Sequence, residues 1–216
     1  MIDLHTHTFF SDGELVPAEL VRRAAVAGYR AMAITDHADK SNTLWLLSNI
    51  VDMVDEIGAA NGMQVLAGVE LTHVPPQSMA DAVKLARDNG AELVVVHGET
   101  IVEPVMPGTN LAAIKAGADI LAHPGLITPE EVRLAVELDV CLEITTRKGH
   151  SLTNGHVVKL ATEFGAKLVI NNDAHAPGDL ISPELMRKVA LGAGMTDEQF
   201  LLARKNSERL VARAKG

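Results

Sequence analysis

Asp81-Ala-Val-Lys-Leu-Ala-Arg-Asp-Asn89 is followed by Gly90, then by Leu93-Val-Val-Val96 and His97. The first segment reads as a helix that Gly90 closes with a left-handed cap, and the second as a short buried strand that starts at once and ends in a polar residue. The same order recurs on both sides. Pro17 opens a helix over 18–27, Gly28 closes it, and 30–35 is an apolar run ending in Asp36-His37. Residues 111–116, Gly117 and 120–122 lead to His123; residues 156–164, Gly165 and 167–170 lead through two asparagines to Asp173-Ala-His175. Two further strands complete the set. Residues 64–69 end in Glu70 after a helical stretch over 44–57, and 140–142 end in Glu143 after a helix that Pro129 opens. The first strand is Ile2 to Leu4, ending in His5-Thr-His7, and 182–215 read as terminal helices.

Seven strand–helix units alternating without a break give an open doubly wound sheet or a closed barrel. An open sheet collects its chemistry at one switch point, whereas in a barrel every strand end faces one mouth. Every strand here ends in His, Asp or Glu. The expectation is an α/β fold, a distorted seven-stranded (β/α)7 TIM-like barrel, with its site at the C-terminal face and one domain spanning 1–216. Seven strands also suit a chain shorter than the roughly 250 residues of the eightfold version. Hydrophobic residues make up 47% of the chain and aromatics only 3%, so aliphatic side chains must build the core, as parallel strands covered by helices require.

The net charge of −9 argues against nucleic acid as a partner, which normally needs a basic face. Cys141 is the only cysteine, so no internal disulfide forms and any metal site must be built from imidazole and carboxylate. Between Val140 and Leu142 it reads as a packed strand residue. No charged segment precedes an apolar run at the N-terminus, and no stretch approaches the roughly 20 apolar residues of a membrane span, which predicts a soluble, cytoplasmic protein.

His5 and His7 leave one strand end on the same side, a chelating pair, with Asp3 placed to orient one of them and Asp12 offering a carboxylate nearby. The strand-end set is His5, His7, Asp12, His37, Glu70, His97, His123, Asp173 and His175. Singly, each reads as a polar loop residue; together, they are too many for one four- to six-coordinate ion. Imidazole and carboxylate without thiolate suit Zn, Mn or Fe, and two to three divalent ions are expected.

The H-x-H opening, the D-H after strand two, the Glu after strand three, single His residues after strands four and five and the closing D-x-H resemble the polymerase and histidinol phosphatase (PHP) family over 1–176. The resemblance implies a distorted barrel holding up to three metals that hydrolyse phosphoesters. His5, His7, Glu70 and Asp173 would hold one ion; Glu70 would bridge to a second held by His97 and His123; Asp12, His37 and His175 would hold a third. Some members have His where this chain has Asp12, and the chain is more compact than the histidinol phosphatases.

The expected activity is hydrolysis of a small-molecule phosphomonoester by a metal-activated hydroxide, with Glu70, Asp173 and Arg147 as catalytic residues. Arg147 and Lys148 lie just past strand six and would hold the phosphate, Arg147 as a bidentate clamp and Lys148 as a point charge, with His150 touching substrate. Glu99 and His73 are weaker rim candidates, His156 reads as structural, and Gly108-Thr-Asn110 as a helix cap. Alternatives are a phosphodiesterase or nucleotide-directed enzyme, a metal-dependent amidohydrolase, and a non-catalytic metal-binding module serving a partner. The oligomeric state is left open.

Overall fold

A computed structural model describes residues 1–215. Its strands are β1 (Ile2–Asp3), β2 (Ala31–Ile34), β3 (His37–Ala38), β4 (Gln64–Leu71), β5 (Leu93–His97), β6 (Ile120–Ala122), β7 (Cys141–Thr145) and β8 (Leu168–Asn171). All pair in parallel in the order β1-β2-β4-β5-β6-β7-β8, with β3 continuing beyond β2 against β4. The ends of the sheet meet through a parallel bridge between Thr6 and Ala174, where the His7 amide donates to the Ala174 carbonyl at 2.8 Å. The result is a nearly closed barrel of seven parallel strands, as the alternation of elements implied.

Helices α1 (Pro17–Val26), α2 (Thr43–Ile50), α3 (Val54–Asn61), α4 (Met79–Asp88), α5 (Thr109–Lys115), α6 (Pro129–Glu137), α7 (Asn154–Phe164), α8 (Pro183–Gly192) and α9 (Asp197–Lys215) complete the chain. Thr128 starts α6 with a full capping box to Glu131, and Gly165 ends α7 in a left-handed cap. The helix expected over 44–57 is instead two, interrupted at 51–53. No Pro or Gly marks the break. α3 then lies against β4, where a Cβ on Gly58 would stand 3.3 Å from a Val65 methyl.

Period-two alternation sorts each strand between two cores. Val94 and Val96 face the outer core under the helices, while Leu93 and Val95 fill the barrel interior with Leu66, Ile120, Cys141 and Val169. The same parity continues upward: Leu66, Gly68 and Glu70 share a face, as do Leu93, Val95 and His97, and Cys141 and Glu143. The apolar floor of the barrel and its polar mouth are therefore one register. Cys141 is fully buried in that floor, and burial pushes its thiol pKa up.

The last helix plugs the opposite end. Leu210 and Val211 of α9 belong to the interior core, and the basic side chains around them pair with carboxylates of the barrel bottom: Arg213 with Asp119, Arg209 with Asp139, Lys215 with Glu92. Leu210 is 1% exposed, so Leu210→Ala should cost about 2 to 5 kcal/mol in denaturant unfolding while leaving the mouth intact. A loss below about 0.5 kcal/mol would mean that the plug is not part of the cooperative core.

Candidate metal centre at the barrel mouth

The polar strand ends converge. Glu70, at the end of β4, is fully buried and faces four imidazoles: Oε1 lies 3.2 Å from His5 Nε2 and 3.6 Å from His123 Nε2, and Oε2 lies 2.7 Å from His37 Nδ1 and 3.8 Å from His7 Nε2. Asp173 stands opposite, 3.2 Å from His7 Nε2, 3.7 Å from His5 Nε2 and 3.7 Å from His123 Nε2. On one side of this centre Asp12 Oδ1 gathers His175 Nε2 at 3.1 Å, His37 Nε2 at 3.4 Å and His7 Nδ1 at 3.9 Å. On the other side stand His97 and His123, with ring centroids 4.5 Å apart. All nine residues of the expected set thus meet at one mouth.

Backbone geometry aims them. His123 and Asp173 adopt left-handed φ values of 27° and 53°, conformations that cost non-glycine residues about 1 to 3 kcal/mol each and turn these side chains at the strand ends. The H-x-H loop is tied down by Asp36, whose carboxylate accepts from the Thr8 amide and hydroxyl, both at 2.7 Å, and from the Ser11 hydroxyl at 2.6 Å. Gly13 closes that loop where a Cβ would overlap the His7 carbonyl.

Hydrogen bonds also select tautomers. Glu143 Oε2 holds His5 Nδ1 at 2.8 Å, the Gly98 carbonyl holds His97 Nδ1 at 3.1 Å, and the Asp173 carbonyl holds His175 Nδ1 at 3.0 Å, so each Nε2 lone pair is presented to the mouth. The orienting role expected of Asp3 is taken by Glu143. Asp3 Oδ1 instead accepts from the backbone amides of His5 and Asn172, at 3.3 and 3.1 Å, and burial pushes its carboxyl pKa up to about 7.

Buried His5 Nε2, both nitrogens of His7, Glu70 Oε1 and His123 Nδ1 have no hydrogen-bond partner among the described residues. An unsatisfied buried polar atom costs about 1 to 3 kcal/mol, so such a convergence fits cations held by lone pairs. Burial resists charge on Glu70 and Asp173, yet the surrounding imidazoles hold both well below the usual carboxylate range. Burial likewise opposes protonation of His37, but Glu70 and Asp12 outweigh it and raise it to about 10, while burial lowers His7 to about 4. A cation neutralising Glu70 would displace such protons, so its affinity should weaken towards acid pH.

Other expected rim residues sit as follows. Arg147 is half-buried with Nη1 3.3 Å from Asp179 Oδ2, an oxygen that also accepts from the His175 and Ala176 amides at 2.9 Å. Lys148 is exposed. The His150 ring is buried and stacks on His123 at 4.2 Å. Glu99 caps α5 by accepting the amides of Gly108 and Asn110 at 3.0 and 2.9 Å, so Gly108-Thr-Asn110 is indeed a cap and Glu99 its partner. His156 bonds the Ile127 carbonyl, away from the mouth. Sequence reasoning passed over Glu143, which interior parity with Cys141 would have found. It also missed Glu103, whose loop has no pattern; its carboxylate reaches His97 Nε2 at 3.1 Å, His150 Nε2 at 3.4 Å and His73 Nε2 at 3.6 Å.

Among the described residues no helix is long and apolar enough to cross a membrane. The model of the PHP domain matches residues 3–99. An uncharacterized protein of Methanocaldococcus jannaschii, MJ1295, is 54% identical over 200 residues, 92% of each chain. A probable phosphatase of Shewanella sp. strain ANA-3 is 31% identical over 202 residues, 81% of this chain and 76% of that one. In fold, the chain resembles one in the structure of archaeal ribonuclease P with mature tRNA, at a TM-score of 0.75 and 18% identity, covering 100% of this chain and 91% of that one. From the matched model, the relatives and the strand-end residues that meet at the mouth, it follows that this chain belongs to the PHP domain family.

Proposed function

We propose that the chain, as a single hydrolase domain over 1–216, hydrolyses a small-molecule phosphomonoester with two to three divalent ions, Zn, Mn or Fe, at the barrel mouth. The observation that carries this reading is the convergence of buried, unpartnered nitrogen and oxygen atoms from His5, His7, Glu70 and His123. His5, His7, Glu70 and Asp173 would hold one ion, and Glu70 would be shared with a second at His97 and His123. Asp12, His37 and His175, with His7 alongside, would hold a third. Bound there, such ions supply Lewis acidity that neutralises phosphoryl oxygens and lowers the pKa of water from 15.7 towards about 7.

The protein's own part is positioning. Glu143 and the Gly98 and Asp173 carbonyls keep protons on the outer ring nitrogens, and Asp36 fixes the loop that presents His5 and His7. Arg147, steadied by Asp179, turns its remaining donors to a phosphate at the rim, with Lys148 adding charge. Arg147→Ala should lower kcat/KM by about one to two powers of ten, with Arg147→Lys between it and wild type and metal content unchanged. Turnover of the alanine variant within about twofold of wild type would remove Arg147 from the phosphate site.

An exposed aromatic group favours a second reading, a nucleotide-directed enzyme. Phe9 and Trp45, the chain's only tryptophan, are 53% and 52% exposed, and Phe10 packs between them, 4.5 Å from Phe9 and edge-on to Trp45 at 5.3 Å. Phe9 and Phe10 lie on the H-x-H loop, a few residues before Asp12, and Trp45 lies on α2. Base–aromatic stacking is worth about 1 to 3 kcal/mol. Assay of aliphatic phosphomonoesters, nucleoside monophosphates and dinucleotides separates the readings. If Trp45→Ala raises KM for nucleotides by about fivefold or more and leaves aliphatic esters alone, the nucleotide reading holds; equal effects on all substrates would discard it.

A further inference from the structure

Three imidazoles stand where the sequence calls for two. His97, His123 and His150 are all buried, and each offers a ring nitrogen within 4.8 Å of the other two. His150 stacks on His123, and His97 meets the His123 ring edge-on. None bonds another. The outer nitrogens are instead engaged elsewhere: His97 Nδ1 with the Gly98 carbonyl at 3.1 Å and His150 Nδ1 with Thr100 Oγ1 at 2.8 Å. Both Nε2 atoms consequently face the same carboxylate, Glu103, at 3.1 and 3.4 Å, and His123 Nδ1 is buried without a partner among the described residues.

Two loops bring these groups together. His150 opens a 3-10 turn (His150–Thr153) after Gly149, whose φ is 85° and whose missing Cβ would lie 3.5 Å from a Val102 methyl. The segment carrying Thr100, Val102 and Glu103 is thereby braced against the one carrying His150.

We propose that His150 and Glu103 are ligands that complete the second cation position, making it a site of three imidazoles with the carboxylates of Glu103 and the shared Glu70. The proposal rests on the metal-dependent reading above. A set of three imidazole nitrogens with carboxylate oxygens from Glu70 and Glu103 suits a borderline ion such as zinc over magnesium or calcium, which prefer oxygen alone. The position is then richer in nitrogen than the one around Glu70 and Asp173, and the two should differ in metal preference. Thr100 is a positioning residue: its hydroxyl, 2.8 Å from Nδ1, holds the His150 ring so that Nε2 faces the site.

The test measures zinc directly. Full-length wild type, His150→Ala, Glu103→Gln, Thr100→Val and His156→Ala are stripped, titrated with zinc chloride by calorimetry, and assayed for zinc after dialysis, with circular dichroism as the folding control. His150→Ala should retain one ion per chain fewer than wild type, or hold that ion more than about 100-fold more weakly; Glu103→Gln and Thr100→Val should each weaken it by about 10-fold or more, and His156→Ala should change nothing. Cobalt substitution adds a spectroscopic readout, since the visible absorption of the ion at this position should be lost in His150→Ala only. If His150→Ala does not fold, the half-exposed Glu103→Gln and the isosteric Thr100→Val decide the matter. Wild-type stoichiometry and affinity in the folded variants would overturn the proposal and leave the metal-dependent reading standing. A wild-type chain that binds no zinc, manganese or iron would overturn both.

Discussion

Glu70→Gln should lower kcat/KM for a phosphomonoester by about two to four powers of ten, whereas His175→Ala should lower it by about one to two. The difference follows from what each side chain faces. Glu70 is fully buried and its two oxygens are shared among His5, His7, His37 and His123, so it is the carboxylate common to the separate ligand groups. Gln keeps the shape and removes the charge. Each charge-assisted interaction is worth about 1.5 to 3 kcal/mol, and at least two are lost together. His175 Nε2 meets Asp12, a half-exposed residue at the edge of the centre, and His175 is assigned to one ion alone. Steady-state kinetics of both variants, with metal content measured alongside, checks the order. Comparable residual activities would show that Glu70 is not shared.

Chelation should abolish hydrolysis, by about four powers of ten or more, without unfolding the chain. The aliphatic core lies in two layers, one under the helices and one inside the barrel, and neither includes the nine strand-end residues. Unlike a zinc finger, whose core is too small to stand alone, a chain of this size buries enough apolar surface to fold without an ion. Binding still stabilises: at a hundredfold excess over Kd one ion contributes about 2.7 kcal/mol, which at about 2 to 4 °C per kcal/mol raises Tm by roughly 5 to 10 °C. Circular dichroism before and after chelation, with elemental analysis of the active protein, tests both halves. An apoprotein unfolded at room temperature, or active protein with at most one ion per chain, would contradict the expectation.

The sequence by itself determined the barrel and nearly all of the residues at its mouth, because both are written in local and periodic terms. Gly90 and Gly165 after helices, Pro17 and Pro129 before them, and two-residue parity along β4 and β5 depend on neighbours a few positions away. Parity then carries Glu70 and His97 onto the same face as Leu66 and Leu93. Tertiary structure alone decided the rest. The break at 51–53 has no Pro or Gly to announce it, and the basic face of α9 acquires its meaning only from Asp119, Asp139 and Glu92 on the barrel bottom. Glu143 behind His5, Asp179 behind Arg147, and Glu103 between His97 and His150 are all partners from distant segments. A carboxylate in an irregular loop carries no period that announces its direction, and a contact across 138 residues, such as that of His5 with Glu143, exists only once the barrel has closed.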